Sequence, residues 1–333
     1  MQTAITLTSQ HHSRHIVSGC VFVLLAAFGF SAKSILVKLA YGYSPALDAI
    51  TLMLLRMAIS LPFFVFVAVW SNRPSKQIGV TQRMRKQDWL MVMVLGFLGY
   101  YLSSLLDFEG LAYISAGLER LILYLYPTFV VLLTAAYYRK AINRNQAFAL
   151  LLTYAGILLV YSDHKLQSNN PSLLLGSTFV ASSAMTFAIF MVASGVLIRR
   201  IGAMRFTAYS MTVACIITGL HFIIRHGGYP SNLPVSVYGL AGIMAIFSTV
   251  LPSFLMNAGI QRIGAGSASI ISSAGPIGTL VLAFFLLGEA LTIAQVGGTC
   301  LVLIGVFVVS RTREDLCKSP VIGWNGGKKP TLP

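Results

Sequence analysis

The sequence predicts an all-α membrane protein of ten transmembrane helices arranged as two inverted five-helix repeats. Three observations carry that expectation: ten apolar stretches long enough to cross a bilayer, an internal match at constant spacing, and a lopsided distribution of Lys and Arg. Of the 333 residues, 56% are hydrophobic and 10% charged, whereas a water-soluble domain carries about 25% charged residues.

A helix needs about 20 mostly apolar residues to cross about 30 Å of hydrocarbon, and it must satisfy its own backbone hydrogen bonds there. The stretches that do so are 17–38, 46–70, 89–109, 114–138, 145–161, 172–197, 204–224, 235–257, 266–287 and 292–310. The chain is polar up to His15. The apolar run that follows exceeds a signal-peptide core of about 7–15 residues, so it reads as a retained first helix. Links between spans are short and leave no room for a soluble domain. The expected organisation is a cytoplasmic segment 1–16, a first repeat 17–161, a second repeat 172–310 and a basic cytoplasmic tail 311–333. Cys20, Cys215 and Cys300 lie in apolar stretches and Cys317 in the tail, which argues against a disulfide framework.

With the N-terminus inside, eighteen of the 24 Lys and Arg fall in cytoplasmic segments. Lys38, Lys165 and Arg225 face the other side, and Lys33, Arg56 and Arg120 lie within spans. Positive residues are retained on the cytoplasmic side, so both termini are expected in the cytoplasm, with the chain crossing a bacterial-type inner (plasma) membrane. The net charge of +15 then reports topology and contact with anionic lipids on the cytoplasmic side. Nucleic-acid binding needs basic residues gathered on one face or tract, and here they are scattered between apolar runs.

Shifting the chain by 149 residues aligns 110–161 with 259–310 without a gap. Identical pairs include Gly110/Gly259, Gly117/Gly266, Pro127/Pro276, Gln146/Gln295 and Gly156/Gly305. A weaker match at offset 157 pairs Gly19/Gly176, Phe22/Phe179, Val23/Val180, Ala27/Ala184 and Phe30/Phe187. A unit of five spans is odd, so a second copy enters the membrane from the opposite side. That is the architecture of alternating-access transporters, whose substrate site lies near the midplane where the repeats meet. Pro127 and Pro276 are read as corresponding helix kinks, which either only improve packing or also free carbonyls and shape a cavity. The small-residue run Gly264–Gly275 permits close helix approach, and its hydroxyls, Ser269 and Ser273 among them, are candidates to line a cavity.

The pattern Ala116-Gly117, Leu125-Tyr126-Pro127-Thr128, Tyr137, Gln146, Gly156 recurs as Gly266-Ser267-Ala268, Gly275-Pro276, Leu287-Gly288-Glu289, Gln295, Gly298, Gly305. Together with Phe30-Ser31, Lys33 and Leu54-Leu55-Arg56, it resembles the EamA repeat of the drug/metabolite transporter superfamily over roughly 17–310. The resemblance implies a ten-helix fold with cytoplasmic termini, and secondary carriers that are often exporters of amino acids or other metabolites. The family's Gly-Glu survives as Gly288-Glu289 but is Arg139-Lys140 in the first copy.

An ionisable residue within hydrocarbon costs about 2.5–3.5 kcal/mol on insertion scales, so it faces a cavity or a partner. Arg56 stands about 10 residues into the second span, about 15 Å deep. Its guanidinium suits a substrate carboxylate, or else a buried partner such as Glu119 or a C-terminal helix carbonyl. Lys33, Glu119 and Arg120 belong to the same outer half of the first repeat. The positions matched to these charges in the second copy, Phe190, Cys215, Ala268 and Ser269, are uncharged, which favours an asymmetric site for substrate or protons. Asp107 and Glu109 read as solvated helix ends, with Glu119 the better proton-coupling candidate. Tyr100, Tyr101, Tyr124 and Tyr126 offer aromatic hydroxyls at similar depth, as belt, packing or site; His221 reads as packing or interfacial.

These residues suit a secondary transporter of small metabolites with a small-molecule substrate, protons as a coupling ion and no cofactor, and they leave a homodimer open. The alternatives are an intramembrane enzyme and a passive channel or lipid-translocating protein of the same fold. An enzyme would need paired catalytic carboxylates, a Ser/Lys or Ser/His dyad or an HExxH-type metal site in a span, and the sequence has no catalytic or metal motif of these kinds.

Overall fold

The computed structural model describes residues 2–44, 46–71, 84–138, 144–167, 171–228, 233–272, 275–289 and 291–317; for several helical stretches, 2–15, 134–138 and 269–270 among them, it describes the backbone alone. All regular structure among the described residues is helical. The α-helices are α1 (Gln2–Tyr43), α2 (Ala49–Ser71), α3 (Lys86–Leu95), α4 (Ser103–Tyr113), α5 (Ala116–Leu123), α6 (Tyr126–Tyr138), α7 (Arg144–Gln167), α8 (Leu173–Ile201), α9 (Ala203–His226), α10 (Val235–Ala245), α11 (Leu251–Ser272), α12 (Gly275–Leu282) and α13 (Ile293–Cys317). Wider π-helical turns join α3 to α4 at Gly96–Leu102 and α10 to α11 at Ile246–Val250, and a third follows α12 at Ala283–Leu287.

Among the described residues, seven helices are long and apolar enough to cross a bilayer: Ile16–Tyr43, Ala49–Ser71, Lys86–Tyr113, Ala116–Leu133, Leu173–Ile201, Ala203–His226 and Val235–Gly264. Three shorter apolar helices, Leu151–Asp163, Gly275–Leu287 and Ile293–Gly305, overlap the remaining expected spans. Several helices outrun their apolar cores, because backbone hydrogen bonding continues past the last apolar residue until a glycine stops it. Gly202 (φ 87°) separates α8 from α9, and Gly264 (φ 79°) interrupts α11, both in the left-handed region that glycine adopts without steric cost.

Burial is inverted relative to a water-soluble protein. Outward faces carry Phe66, Trp70, Leu90, Leu158, Ile224 and Phe285, while Ser31, Ser34, Ser60, Thr207, Ser210 and Asn257 are buried. A contiguous apolar exterior of this kind is covered by lipid.

The helices pack in cross-half pairs: α1 with α11, α2 with α9, α4 with α8, α5 with α12 and α7 with α13. Glycines set the closest crossings. A Cβ on Gly110 of α4 would lie 2.4 Å from Val180 Cγ2 and 3.0 Å from the Gly176 carbonyl of α8. On Gly259 of α11 it would lie 2.4 Å from Val23 Cγ2 and 3.3 Å from the Gly19 carbonyl of α1. The residues in these two crossings correspond one to one through the spacings 149 and 157 noted in the sequence. At one end of the bundle, His226 Nε2 meets Asp48 Oδ2 at 2.9 Å, and Glu289 Oε1 and Oε2 accept from the Ala116 and Gly117 N–H groups at 3.0 and 3.3 Å. At the other, Arg200 pairs with Asp88 at 2.8 Å and Arg205 donates to the Ser71 carbonyl.

Candidate functional site

Local backbone irregularity opens the interior. Helix α5 stops at Leu123, the chain turns at Tyr124–Leu125, and α6 restarts at Tyr126. Pro127 therefore stands in the first turn of a new helix, where its missing N–H leaves no helical bond unmade. Pro276 occupies the same place in α12, which begins at Gly275 after α11 has ended at Ser272. The bend expected at Pro127 takes the form of a helix end followed by a fresh start; the two residues before Gly275 lie outside the described residues. The π-turns are also matched: Phe97–Tyr101 lies 149 residues before Ile246–Val250. Such turns present side chains that a regular helix would rotate away, and they recur at functional sites.

A cavity of about 90 Å³ lies against these irregular segments, room for on the order of six waters. Its walls come from both halves of the chain: Phe30 and Lys33 of α1, Arg56 and Met57 of α2, Tyr100 of the first π-turn, Ser103 and Ser104 of α4, Arg120 of α5, Tyr124 and Tyr126 around the break, Ser183 and Phe187 of α8, Met211 of α9, Ser248 and Thr249 of the second π-turn, and Ser253, Met256 and Ser272 of α11. No Asp or Glu lines it among the described residues.

Of the candidates from the sequence, Lys33, Arg56, Arg120 and Tyr124 reach this cavity. Glu119, fully buried, does not; it sits behind the wall beside Asp107, with Oε2 3.9 Å from Arg120 Nε. Ser269 lies in α11 with its side chain outside the description, and Ser273 lies outside the described residues.

The cations are held differently. Lys33 Nζ lies 2.6 Å from Asp107 Oδ2. Asp107 is thus no solvated helix end: it is 1% exposed, because one turn of α4 continues beyond it and turns the carboxylate inward onto α1. Arg120 donates to the Phe30 carbonyl and, at 2.7 Å, to Ser34 Oγ. Arg56 lies over the Phe108 ring at 4.8 Å, and among the described residues its one hydrogen bond is a long 3.5 Å contact from Nη1 to Thr249 Oγ1. Its Nε and Nη2 have no hydrogen-bond partner although the residue is 3% exposed. Glu119, offered as an alternative partner, is not within ion-pair distance; the acids here are turned toward Lys33 and Arg120.

Of the hydroxyl-bearing wall, Tyr100, Tyr124 and Tyr126 were named from the sequence, whereas Ser103, Ser183, Ser248, Thr249 and Ser253 were not. Tyr124 donates to the Ser272 carbonyl and Tyr126 hydrogen bonds with Ser272 Oγ, tying the break between α5 and α6 to the end of α11. Asn257 Nδ2 donates to the Tyr100 hydroxyl and to Thr207 Oγ1, each at 2.7 Å. Ser183 Oγ donates to the Ser103 carbonyl at 2.7 Å. The signal was present as Ser248, Thr249 and Ser253, a polar group one turn apart inside an apolar run. His221, read as packing or interfacial, shares a 2.9 Å hydrogen bond with the Tyr101 hydroxyl.

An apolar exterior, repeated membrane-length helices and an interior chamber lined with buried cations and hydroxyls define a multi-pass membrane protein built to accommodate a small polar solute. The chain belongs to the EamA-like transporter family, within the drug/metabolite transporter superfamily: the family model matches residues 17–162 and again 174–311. It is 34% identical over 307 residues to the protein named uncharacterized transporter YcbK of Bacillus subtilis (strain 168), covering 89% of this chain and 95% of that protein. Another Bacillus subtilis protein, named uncharacterized transporter YyaM, is 25% identical over 297 residues, 87% of this chain and 93% of its own length. An uncharacterized transporter of Archaeoglobus fulgidus is 26% identical over 269 residues, 80% of this chain and 90% of its own. A solved crystal structure superposes with a TM-score of 0.62 at 18% identity, over 88% of this chain and 98% of that one, a likeness of fold.

Proposed function

We propose that the chain is a secondary transporter that exports a small metabolite, an amino acid or a related compound, by alternating access. In this reading ten helices form two inverted repeats, 17–161 and 172–310, in a bacterial-type inner membrane with both termini cytoplasmic. The observation that carries it is the cavity, walled by both halves of the chain and lined by the intramembrane cations Lys33, Arg56 and Arg120. Carriers of inverted-repeat design bind substrate at that seam. The paired glycine crossings, the matched π-turns and the double match of the family model support the same arrangement.

Protons are the coupling ion in this proposal. Glu119 and Asp107 face each other behind the cavity wall, and one proton lets one acid donate to the other. Lys33 on α1 and Arg120, next to Glu119 on α5, sense whether that proton is present.

Proteoliposomes test the carrier mechanism. Efflux of a preloaded compound should saturate and accelerate when the same compound is supplied on the opposite side; flux without such counterflow would indicate a channel. Metabolite profiling of cells with and without the protein supplies the compound. Arg56→Ala is expected to abolish transport at near-normal expression and insertion, and wild-type transport by that variant would remove Arg56 from the site. Glu119→Gln is expected to keep counterflow and lose its response to an imposed proton gradient.

A further inference from the structure

The charges around the cavity do not balance. Lys33 is matched by Asp107 at 2.6 Å, and Arg120 is tied to Phe30, Ser34 and the neighbouring Glu119. Arg56 has no acid within 4 Å among the described residues, yet it is 3% exposed and two of its three guanidinium nitrogens lack a partner. A buried, unpaired cation is among the costliest arrangements a protein retains. Its open donors point to an anion that the polypeptide does not supply.

We propose that Arg56 anchors the carboxylate of a small organic monoanion. The inference rests on the cavity being the transporter's substrate site and names the class of solute that fits it. A guanidinium offers parallel N–H donors at the spacing of a carboxylate's oxygens. Ser248 Oγ, which lines the same cavity and is buried without a partner, adds one further donor. Beyond this polar corner, Phe30, Phe187, Met57 and Met211 provide an apolar wall for the body of the solute. With no acid in the lining, an ammonium group would find no counter-charge. The solute is therefore a net anion, which within the class proposed above selects carboxylic acids lacking an ammonium group over the zwitterionic amino acids.

The test uses the full chain in lipid nanodiscs and near-isosteric probes: benzoate, its neutral amide benzamide and the cation benzylamine. Benzoate is expected to bind, with benzamide about tenfold to a hundredfold weaker, the value of a charge-assisted hydrogen bond, and benzylamine weaker still. Arg56→Gln should bring benzoate down to the level of benzamide, abolishing the preference for the charged probe. Equal binding of benzoate and benzamide by the wild-type protein would overturn the proposal without recourse to any variant, as would benzoate binding that survives Arg56→Gln. Silence toward both benzoate and propionate, or benzoate no tighter than chloride, would overturn it too. Counterflow in proteoliposomes reports separately on the carrier reading. Saturable exchange of a neutral compound, indifferent to Arg56, would sink the anion site and leave the carrier standing; benzoate binding without exchange of any solute would do the reverse.

Discussion

At the scale of single residues, the interior depends on which charges are paired. Lys33 and Asp107 form a close ion pair between α1 and α4, with the acid almost fully buried. Removing one partner strands the other in a medium that solvates it poorly, at a cost of about 3–5 kcal/mol. Lys33→Met and Asp107→Asn are each expected to destabilise the protein strongly in a denaturant titration, and the double variant by less than either sum would require. Strict additivity would show that the pair is not coupled. Intramembrane Lys33, Arg56 and Arg120 were legible from sequence because charge in an apolar run is conspicuous. The partner of each was not. Asp107 stands near the end of a span and looks like a solvated terminus; only the inward turn of α4 reveals it as the counter-ion of Lys33. Glu119 was legible as buried, but its separation from the cavity by the wall that Arg120 forms depends on rotation about the helix, which a break four residues later makes unpredictable.

At the scale of elements, glycine contacts hold the bundle together where no hydrophobic driving force separates helix from lipid. Gly156 of α7 and Gly298 of α13 meet so closely that a Cβ on either would lie 2.6 Å from the other's carbonyl oxygen. The obstructing atom is backbone, so it cannot swing aside. Gly156→Val is expected to lower stability by about 1–3 kcal/mol, the usual cost of overpacking, read as a lower midpoint in thermal unfolding. A midpoint equal to wild type would mean that α7 and α13 are not in contact. The crossing was half legible: Gly156 and Gly305 stood out as a matched pair, while Gly298, the residue that Gly156 actually touches, matches Ala149 in the first copy and drew notice only through the family pattern. The prolines illustrate the same limit. Sequence identifies where the fourth and ninth helices are disturbed, but whether a helix bends or stops depends on what receives the freed groups. Here Tyr124 reaches the Ser272 carbonyl across the two halves.

For the whole molecule, length and hydropathy made the helical membrane fold readable, since lipid permits few alternatives. The proposed topology makes a direct prediction. In a chain whose four native cysteines are replaced, single cysteines at positions 85 and 202 should react with an impermeant thiol reagent from one side, and cysteines at positions 44 and 228 from the other. Labelling of 85 and 202 from opposite sides would dismantle the inverted arrangement.

One contact has a bearing on which way such a molecule rests. The Glu289 carboxylate caps the first turn of α5, where the helix dipole welcomes negative charge. The residue 149 positions earlier is Lys140, a cation that cannot serve the matching helix start at the opposite end. The end near Asp48 thus carries an anionic cap that the sequence does not repeat at position 140, worth about 0.5–2 kcal/mol by the standard of helix caps. In the proposed carrier, two halves alike in shape would thereby be unequal in closing strength, with the Asp48 end the more firmly held.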